Sequence, residues 1–236
     1  MDTDYAEFIK EYTEQDTTSL KLMLKRKLSD EVDYLQMVAG PELQKFLQMI
    51  RHKYMIDNVI NIIEGTKNKT AKEIIQGRSE PLGYLPEISG LINLNVIDEL
   101  YEDVLIDTEV GYYFSALLEE TMQNSEDKKF NAIQYYLQEL KPENLKNYLK
   151  KIWLEHFYLY CQTLSGSTKE IMEEILKFEA DCQTLQIIYN SISFQGFSQE
   201  EERRKIVPNF GNLYPAVTDR LIKEAKSLDT MTACLE

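Results

Sequence analysis

The chain has 236 residues, and its 40 acidic and 26 basic side chains give a formal net charge of −14. This balance disfavours a general nucleic-acid-binding protein, which normally carries a basic surface. Glycine and proline are sparse, at 9 and 6 residues, and helix-compatible Leu, Ile, Glu, Lys and Gln dominate, so we expect an all-helical protein.

The sequence contains no apolar run of the roughly 18 residues that suggest a membrane-spanning helix. Its first ten residues are acidic and polar, unlike a secretory signal peptide. Cys161, Cys182 and Cys234 lie far apart without motif spacing, a pattern typical of reduced cytosolic thiols. Together these features predict a soluble protein.

Apolar spacing, caps and breakers predict a succession of helices. In chain order, we expect them over residues 3–14, 20–38, 41–64, 70–77, 86–94, 96–105, 109–123, 128–140, 143–165, 168–194, 198–207 and 215–228. A polar break at 124–127 divides the chain into two helical regions of similar size, 1–123 and 124–236. Hairpin turns and sustained strand-like alternation are absent from the sequence.

Several residues are expected to begin or end these helices. Gly65 is placed to end the helix over 41–64, and Thr70 with Glu73 has the spacing of a capping box for the next helix. Gly166 separates the two longest helices because glycine accepts the left-handed conformation of a helix end. Thr168 is expected to cap the second of them.

Residues at spacings of three and four place an apolar face on each long helix. For the helix over 41–64 the expected core residues are Leu43, Phe46, Leu47, Ile50, Tyr54, Val59, Ile62 and Ile63. For 143–165 they are Leu145, Leu149, Ile152, Trp153, Phe157, Tyr160 and Leu164. For 168–194 they are Ile171, Ile175, Phe178, Cys182, Leu185, Ile188 and Ile192.

Metal-binding and catalytic motifs are not found in the sequence. The two histidines, His52 and His156, lack the glutamate three residues earlier that a di-iron bundle uses. There is no H-E-x-x-H, no paired C-x-x-C and no recognisable nucleophile motif. Residues 65–70 follow a helix and lack the second glycine of a phosphate-binding loop. We therefore expect no metal, no cofactor and no catalytic residue.

Three acids interrupt apolar helix faces: Asp57, Glu179 and Asp181. Half-buried acids can act as general acids or bases, but they more often pair with Lys or Arg or cap a neighbouring helix. A partner catalytic group is not evident, so the structural interpretation is favoured. From the residues alone, the chain is an acidic all-helical interaction or scaffold protein.

Several short motifs follow one another in a fixed order along the chain. They are Tyr54-Met55-Ile56-Asp57-Asn58-Val59-Ile60, Pro81-Leu82-Gly83, Leu105-Ile106-Asp107-Thr108, Phe178-Glu179-Ala180-Asp181 and Leu213-Tyr214-Pro215. In this order and at these spacings, the chain resembles the subunit d family of V-type proton ATPases, which has relatives in archaeal A-type ATPases. The resemblance implies structural roles for Tyr54, Asp57, Asn58, Asp107, Thr108, Phe178, Glu179, Asp181, Tyr214 and Pro215.

The resemblance also implies a fold and a function. Members of this family are all-helical funnels built from three similar bundles of helical hairpins, and they are not catalytic. They lie on the cytosolic face of vacuolar, lysosomal or endosomal membranes. There they join the central stalk to the proteolipid ring, close to the large membrane subunit, so that ATP hydrolysis drives proton transport. They need no cofactor and bind no nucleic acid.

Relative to the family pattern, an upstream helical segment and the final helices are missing. The chain is then either a fragment or a natural short form. Two functions stay open: a rotor subunit that transmits torque, or a truncated paralogue that acts as a helical adaptor or assembly factor. An enzyme is a distant third, since it would need a cluster of perturbed acids in a pocket.

Overall fold

The computed structural model describes residues 4–11, 16–85, 108–121, 141–193 and 200–236. All regular structure within these ranges is helical, which confirms the predicted fold class. The helices are α1 Asp4–Glu11, α2 Thr17–Val38, α3 Pro41–Lys67, α4 Lys72–Arg78, α5 Gly111–Thr121, α6 Pro142–Gln162, α7 Gly166–Ser193, α8 Glu200–Ile206, α9 Ala216–Glu224 and α10 Leu228–Leu235, with a 3₁₀ turn at Pro81–Gly83.

The helices predicted over 86–94, 96–105 and 128–140, and the break at 124–127, lie outside the described residues. Among the described helices, none is both long enough and apolar enough to cross a lipid bilayer.

Helix α3 lies at the centre of the fold, in contact with α2, α4, α6 and the 3₁₀ turn. Its buried residues are not confined to one face: Met55 and Ile56 are adjacent, as are Val59 and Ile60. A helix that is apolar on more than one side must be covered on more than one side. Residues 41–45, in contrast, are all exposed. The expected core position of Leu43 is therefore wrong: its side chain is exposed, and the contact of this turn with α6 is a polar one, from Tyr160 Oη to the carbonyl of Glu42.

Gly65 does not end α3, which continues to Lys67. Its role is close packing, because a Cβ at Gly65 would collide with the side chain of Ile75 in α4. The predicted capping box is also wrong: α4 begins at Lys72, and its N-cap Ala71 offers no side-chain acceptor.

Side chains of α2 and α3 bind the backbone carbonyls around the 3₁₀ turn. Asn58 Nδ2 donates to the carbonyls of Glu80 (2.9 Å) and Gly83 (2.7 Å), and Asn58 Oδ1 accepts from Glu80 N–H (2.7 Å). Ser29 Oγ donates to Pro81 O, and Arg51 Nε donates to Leu82 O. Four consecutive carbonyls thus find side-chain partners, so the turn needs no further helix or strand to satisfy it.

The same turn approaches the α3 backbone closely at Gly83. A Cβ there would collide with the backbone of Tyr54 and Met55, so only glycine allows this contact. The segment Pro81-Leu82-Gly83, one of the motifs that the chain shares with the family, therefore lies across α3 as a short clamp. The hydrogen bonds of Asn58 fix this clamp in place.

Helices α6 and α7 form an antiparallel hairpin whose turn ends at Gly166, which has φ +62. Helix α7 begins at this glycine, so Thr168 lies inside the helix and does not cap it as expected. The prediction of the core face of α6 is confirmed for five residues that are buried: Leu145, Leu149, Ile152, Trp153 and Phe157. Leu164, just after the end of the helix, is also buried as predicted.

The C-terminal region contains two helices where one was predicted. Helix α9 ends at Glu224, and Ser227 begins α10 by accepting the N–H of Thr230 in a capping box. The extended backbone at Ala225 (ψ 94) makes the break. Both helices pack against α7.

Asn58→Ala should lower the free energy of unfolding by about 2–4 kcal/mol, because it removes the side-chain partner of the Glu80 N–H and of the Gly83 carbonyl, and one of the two donors to the Glu80 carbonyl. Urea unfolding followed by circular dichroism measures this loss. Gln44→Ala, at an exposed position of the same helix, is the control and should change stability by less than about 0.5 kcal/mol. Equal effects of the two substitutions would contradict the role of the clamp.

Candidate functional site

The outer face of α7 carries an exposed apolar stripe, formed by Ile171, Ile175, Phe178, Cys182 and Tyr189. The exposed fractions of the four residues other than Cys182 lie between 49% and 67%, and Cys182 is exposed as well. The expectation that this face enters the core is therefore wrong for its first half. Of the predicted face, Ile188 is buried, while Leu185 and Ile192 are partly buried.

The face of α7 that does enter the core consists of Leu176, Ala180, Thr184, Ile187, Ile188 and Ser191. Three of these side chains are small or polar, which is why apolar periodicity did not single them out. Small residues allow α6, α8, α9 and α10 to approach α7 closely. Helix α7 therefore has two faces that could be buried, and the stripe of large apolar residues is the exposed one.

The spacing of the α7 stripe is that of a coiled-coil seam. Its positions follow one another at intervals of four, three, four and seven residues, and the partly buried Leu185 and Ile192 continue the same heptad register. A partner helix that presents apolar residues with the same period can cover such a seam. In a monomer, an exposed seam of this length marks an interaction surface.

Acidic side chains border the α7 stripe. Glu174 is 71% exposed, with only a long 3.6 Å contact to Lys177, and Glu170 is exposed one turn earlier. Neither carboxylate is buried against the protein, so both are available to basic groups of a partner. The stripe is therefore suited to a helix with basic side chains beside its apolar seam.

The two acids of the Phe178-Glu179-Ala180-Asp181 motif make contacts within the chain. Glu179 Oε1 lies 2.5 Å from Lys53 Nζ of α3. Asp181 accepts the N–H groups of Asn212 and Leu213, each at 3.0 Å. Gly211 lies against the same carboxylate with φ +133, where a Cβ would collide with it. Asp181 therefore fixes the loop that precedes α9.

Asp57 joins α3 to α6. Its Oδ1 lies 3.0 Å from Lys146 Nζ and 2.8 Å from Lys150 Nζ. Both lysines lie on α6, so this carboxylate bridges the two helices. The geometry therefore supports a structural contact for Asp57.

The other motif residues do not converge on one centre. Tyr54 is half-buried on α3, and Thr108 Oγ1 accepts the N–H of Gly111 at the start of α5. Asp107 lies outside the described residues. Tyr214 and Pro215 share a cis peptide bond, and Tyr214 is partly exposed.

A buried cluster that the sequence did not predict joins α3 to the start of α5. His52 Nδ1 lies 2.6 Å from Tyr113 Oη, and His52 Nε2 lies 2.9 Å from Glu109 Oε2. Burial raises the pKa of Tyr113, whose side chain is fully buried. A substrate cannot reach a hydroxyl enclosed in this way, so the triad links two segments. The sequence offered no signal for it, because His52 lies about sixty residues from the other two members.

The described residues do not offer a metal centre, since no three His, Cys, Asp or Glu side chains in those ranges are grouped to hold an ion. What the described surface offers is a docking face on α7, carried on a body stiffened by ion pairs between helices. This arrangement can bind a partner helix.

The whole chain, residues 1–236, matches the family model described as ATP synthase (C/AC39) subunit. The chain is also similar to V-type proton ATPase subunit d of Dictyostelium discoideum, with 34% identity over 99% of this chain. It is 36% identical to subunit d1 of Arabidopsis thaliana over 84% of the chain, and 30% identical to subunit d of Saccharomyces cerevisiae over 99%. The aligned regions span 62%, 52% and 64% of these three relatives, respectively.

Truncation of the exposed Phe178 side chain should leave the stability of the fold almost unchanged, whereas truncation of the buried Leu176 side chain should reduce it. Phe178→Ala should change the free energy of unfolding by less than about 0.5 kcal/mol, since the ring is exposed. Leu176→Ala should cost about 2–5 kcal/mol, because it opens a cavity beneath α7. Chemical denaturation of both variants measures the difference, and a large loss from Phe178→Ala would show that the stripe is buried.

The stabilising effect of Glu109 should depend on pH. The hydrogen bond from His52 is the main cause that lowers the pKa of Glu109 from its ordinary value of 4.5. A lowered pKa stabilises the fold above 4.5, and the stabilisation disappears as the pH falls through the folded-state pKa.

The difference in unfolding free energy between wild type and Glu109→Gln should therefore shrink below pH 4.5. At neutral pH it should be under about 1 kcal/mol, because the carboxylate is partly exposed. Glu119→Gln, at an exposed site on α5, is the control. A difference independent of pH would contradict the assignment.

Proposed function

The chain belongs to the ATP synthase (C/AC39) subunit family, and from this premise we propose that it is a non-catalytic rotor subunit of a V-type proton ATPase. In this role it joins the central stalk to the proteolipid ring, next to the large membrane subunit, so that ATP hydrolysis drives proton transport. It acts as a peripheral protein on the cytosolic face of vacuolar, lysosomal or endosomal membranes.

The observation that supports this proposal most directly is the exposed heptad stripe on α7. A rotor subunit has to bind another helical component stably enough to turn with it. An apolar seam can provide the free energy of binding, because burial of its side chains contributes about 25 cal/mol per Å² of apolar surface. The acids Glu170 and Glu174 beside the seam favour a basic partner, and we assign that partner to the foot of the central stalk.

The stiffness of the body supports the same role. Ion pairs link helices that are far apart in sequence: Asp57 to Lys146 and Lys150, and Lys53 to Glu179. Trp153 Nε1 also donates to the backbone carbonyl of Met49 across 2.7 Å. A load applied to α7 passes through α6 into α3 by contacts of this kind, without a mobile linker between them.

Binding to the stalk tests the proposal. The tagged chain is purified from detergent-solubilised membranes, and the proteins that accompany it are quantified by mass spectrometry. The proteolipid ring, the large membrane subunit and the central stalk should be recovered in fixed proportion. Recovery of stalk components without the ring would support the adaptor function in place of the rotor.

Ile175→Glu should reduce stalk recovery at least about tenfold, because it places a charge in the centre of an apolar interface. The double charge reversal Glu170→Lys with Glu174→Lys should weaken binding in a manner that depends on salt concentration. Met37→Glu, at an exposed apolar position of α2, is the matched control. Unchanged recovery with both stripe variants would refute docking at the α7 stripe.

A further inference from the structure

A groove of about 710 Å³ lies between the first half of α6, the second half of α7 and the middle of α3. Four lysines line it: Lys53 from α3, Lys141 at the start of α6, and Lys146 and Lys150 one and two turns further on. The chain as a whole carries a net charge of −14. The groove thus gathers four ammonium groups on a molecule whose net charge is negative. Concave sites lined by positive charge concentrate anions.

The carboxylates near the groove neutralise only part of this charge. Asp57 is shared between Lys146 and Lys150, at 3.0 and 2.8 Å, so one negative charge faces two positive ones. Glu179 balances Lys53 alone.

Two further charges stand at the mouth of the groove. Lys141 is exposed and forms no ion pair with a described residue. Glu143, also exposed, is the remaining acid of the lining. With Glu143 included, three carboxylates stand against the four lysines, so one positive charge remains in excess.

Lys146 and Lys150 both contact Asp57, so their positive charges are held close together, which is electrostatically unfavourable. The side chain of Lys150 is only 18% exposed. Burial lowers its pKa, and the nearby charges of Lys146 and Lys53 lower it further, against the opposing effect of Asp57. Confining like charges in a partly desolvated space is unfavourable unless another anion joins them. A bound dianion would relieve this repulsion.

The uncharged part of the lining is rich in side-chain amides: Asn144, Asn147, Gln183, Gln186 and Asn190. Asn190 is exposed, and Asn144 and Asn147 are half-buried, so these amides are accessible from the groove. Amide groups donate readily to phosphate oxygens, which accept several hydrogen bonds each.

The aromatic and aliphatic residues of the groove argue against a nucleobase. Trp153 and Ile187 are each only 4% exposed, so neither presents a face on which a base could stack. The volume falls within the range of small-ligand sites. The groove therefore has the charge and the donors for phosphate groups, but not the surface for a purine or pyrimidine.

We propose that this groove binds a compact anion that carries several phosphate groups, with Lys146 and Lys150 as its central contacts. Lys53 and Lys141 stand on either side, and the accessible amides of Asn144, Asn147 and Asn190 donate to the ligand. The anion is either a free polyphosphorylated molecule or the headgroup of a phosphorylated lipid, which present the same chemistry. This site is independent of the proposed rotor function, because it is tested with the purified chain alone.

Isothermal titration calorimetry with inositol hexakisphosphate tests the site. Lys146→Gln and Lys150→Gln should each weaken binding about tenfold, the effect of one lost charge pair in a partly buried site. Either variant leaves Asp57 paired with the other lysine, so the fold is retained. Lys223→Gln makes the same change of charge on the exposed surface of α9, and it should change the affinity less than about twofold.

Asp57→Asn provides a test in the opposite direction. It removes the carboxylate that competes with the ligand for both ammonium groups, so the affinity should rise about threefold or more. Damage to the fold would lower the affinity instead. A weaker complex from a variant that circular dichroism shows to be folded would contradict the arrangement.

Vesicles identify the source of the phosphate groups. Binding to phosphatidylcholine vesicles that contain phosphatidylinositol bisphosphate, but not to phosphatidylserine vesicles of equal charge, would assign the groove to a lipid headgroup. Binding of inositol hexakisphosphate without either vesicle would assign it to a free anion. Both results support the proposal if Lys150→Gln weakens the binding about tenfold, as it does in calorimetry.

The proposal is overturned if neither phosphate probe binds at millimolar concentration, or if Lys223→Gln weakens binding as much as Lys150→Gln. It is also overturned if a poly-glutamate peptide binds more tightly than both probes. That result would mean that the groove receives an acidic protein segment.

Discussion

The constraint on which this structure depends is the enclosure of α3. This helix is apolar on more than one side, so α2, α4, α6 and the 3₁₀ turn have to pack around it. The covering elements are then fixed by polar contacts that reach its backbone or its polar side chains. Trp153 donates to the carbonyl of Met49, and Asn58 holds the turn. Loss of either contact would expose apolar surface of α3 and leave buried polar groups without partners.

Helix α7 packs against α6, and the Lys53–Glu179 ion pair joins it directly to α3 as well. It packs with small residues such as Ala180 and Thr184, which let the surrounding helices approach. Leu176, Ile187 and Ile188 enter the core beside them, whereas Ile171, Ile175 and Phe178 are exposed. The docking stripe is thus a consequence of packing: the same helix supplies a close internal contact on one face and an external one on the other.

The charged residues divide between the interior and the surface in the same way. Asp57 and Asp181 are bound by groups within the chain and connect segments that are distant in sequence. Glu170 and Glu174 face outward beside the stripe. The proposed role of a rotor subunit needs both properties, since such a subunit must resist deformation and still present a surface to its neighbour. The lysine groove adds a third element, an anion site within an acidic molecule, at the junction of α3, α6 and α7.

The sequence by itself determined the helical class, most helix positions and the core face of α6, because apolar periodicity and sparse Gly and Pro act locally. It also identified the resemblance, which the family match confirms. Only the tertiary structure decided which face of α7 is buried, why Gly65 is a glycine, and that His52 meets Tyr113. These features depend on contacts between residues far apart in the chain. Local patterns cannot specify such contacts, since they state how apolar a face is but not what is available to cover it.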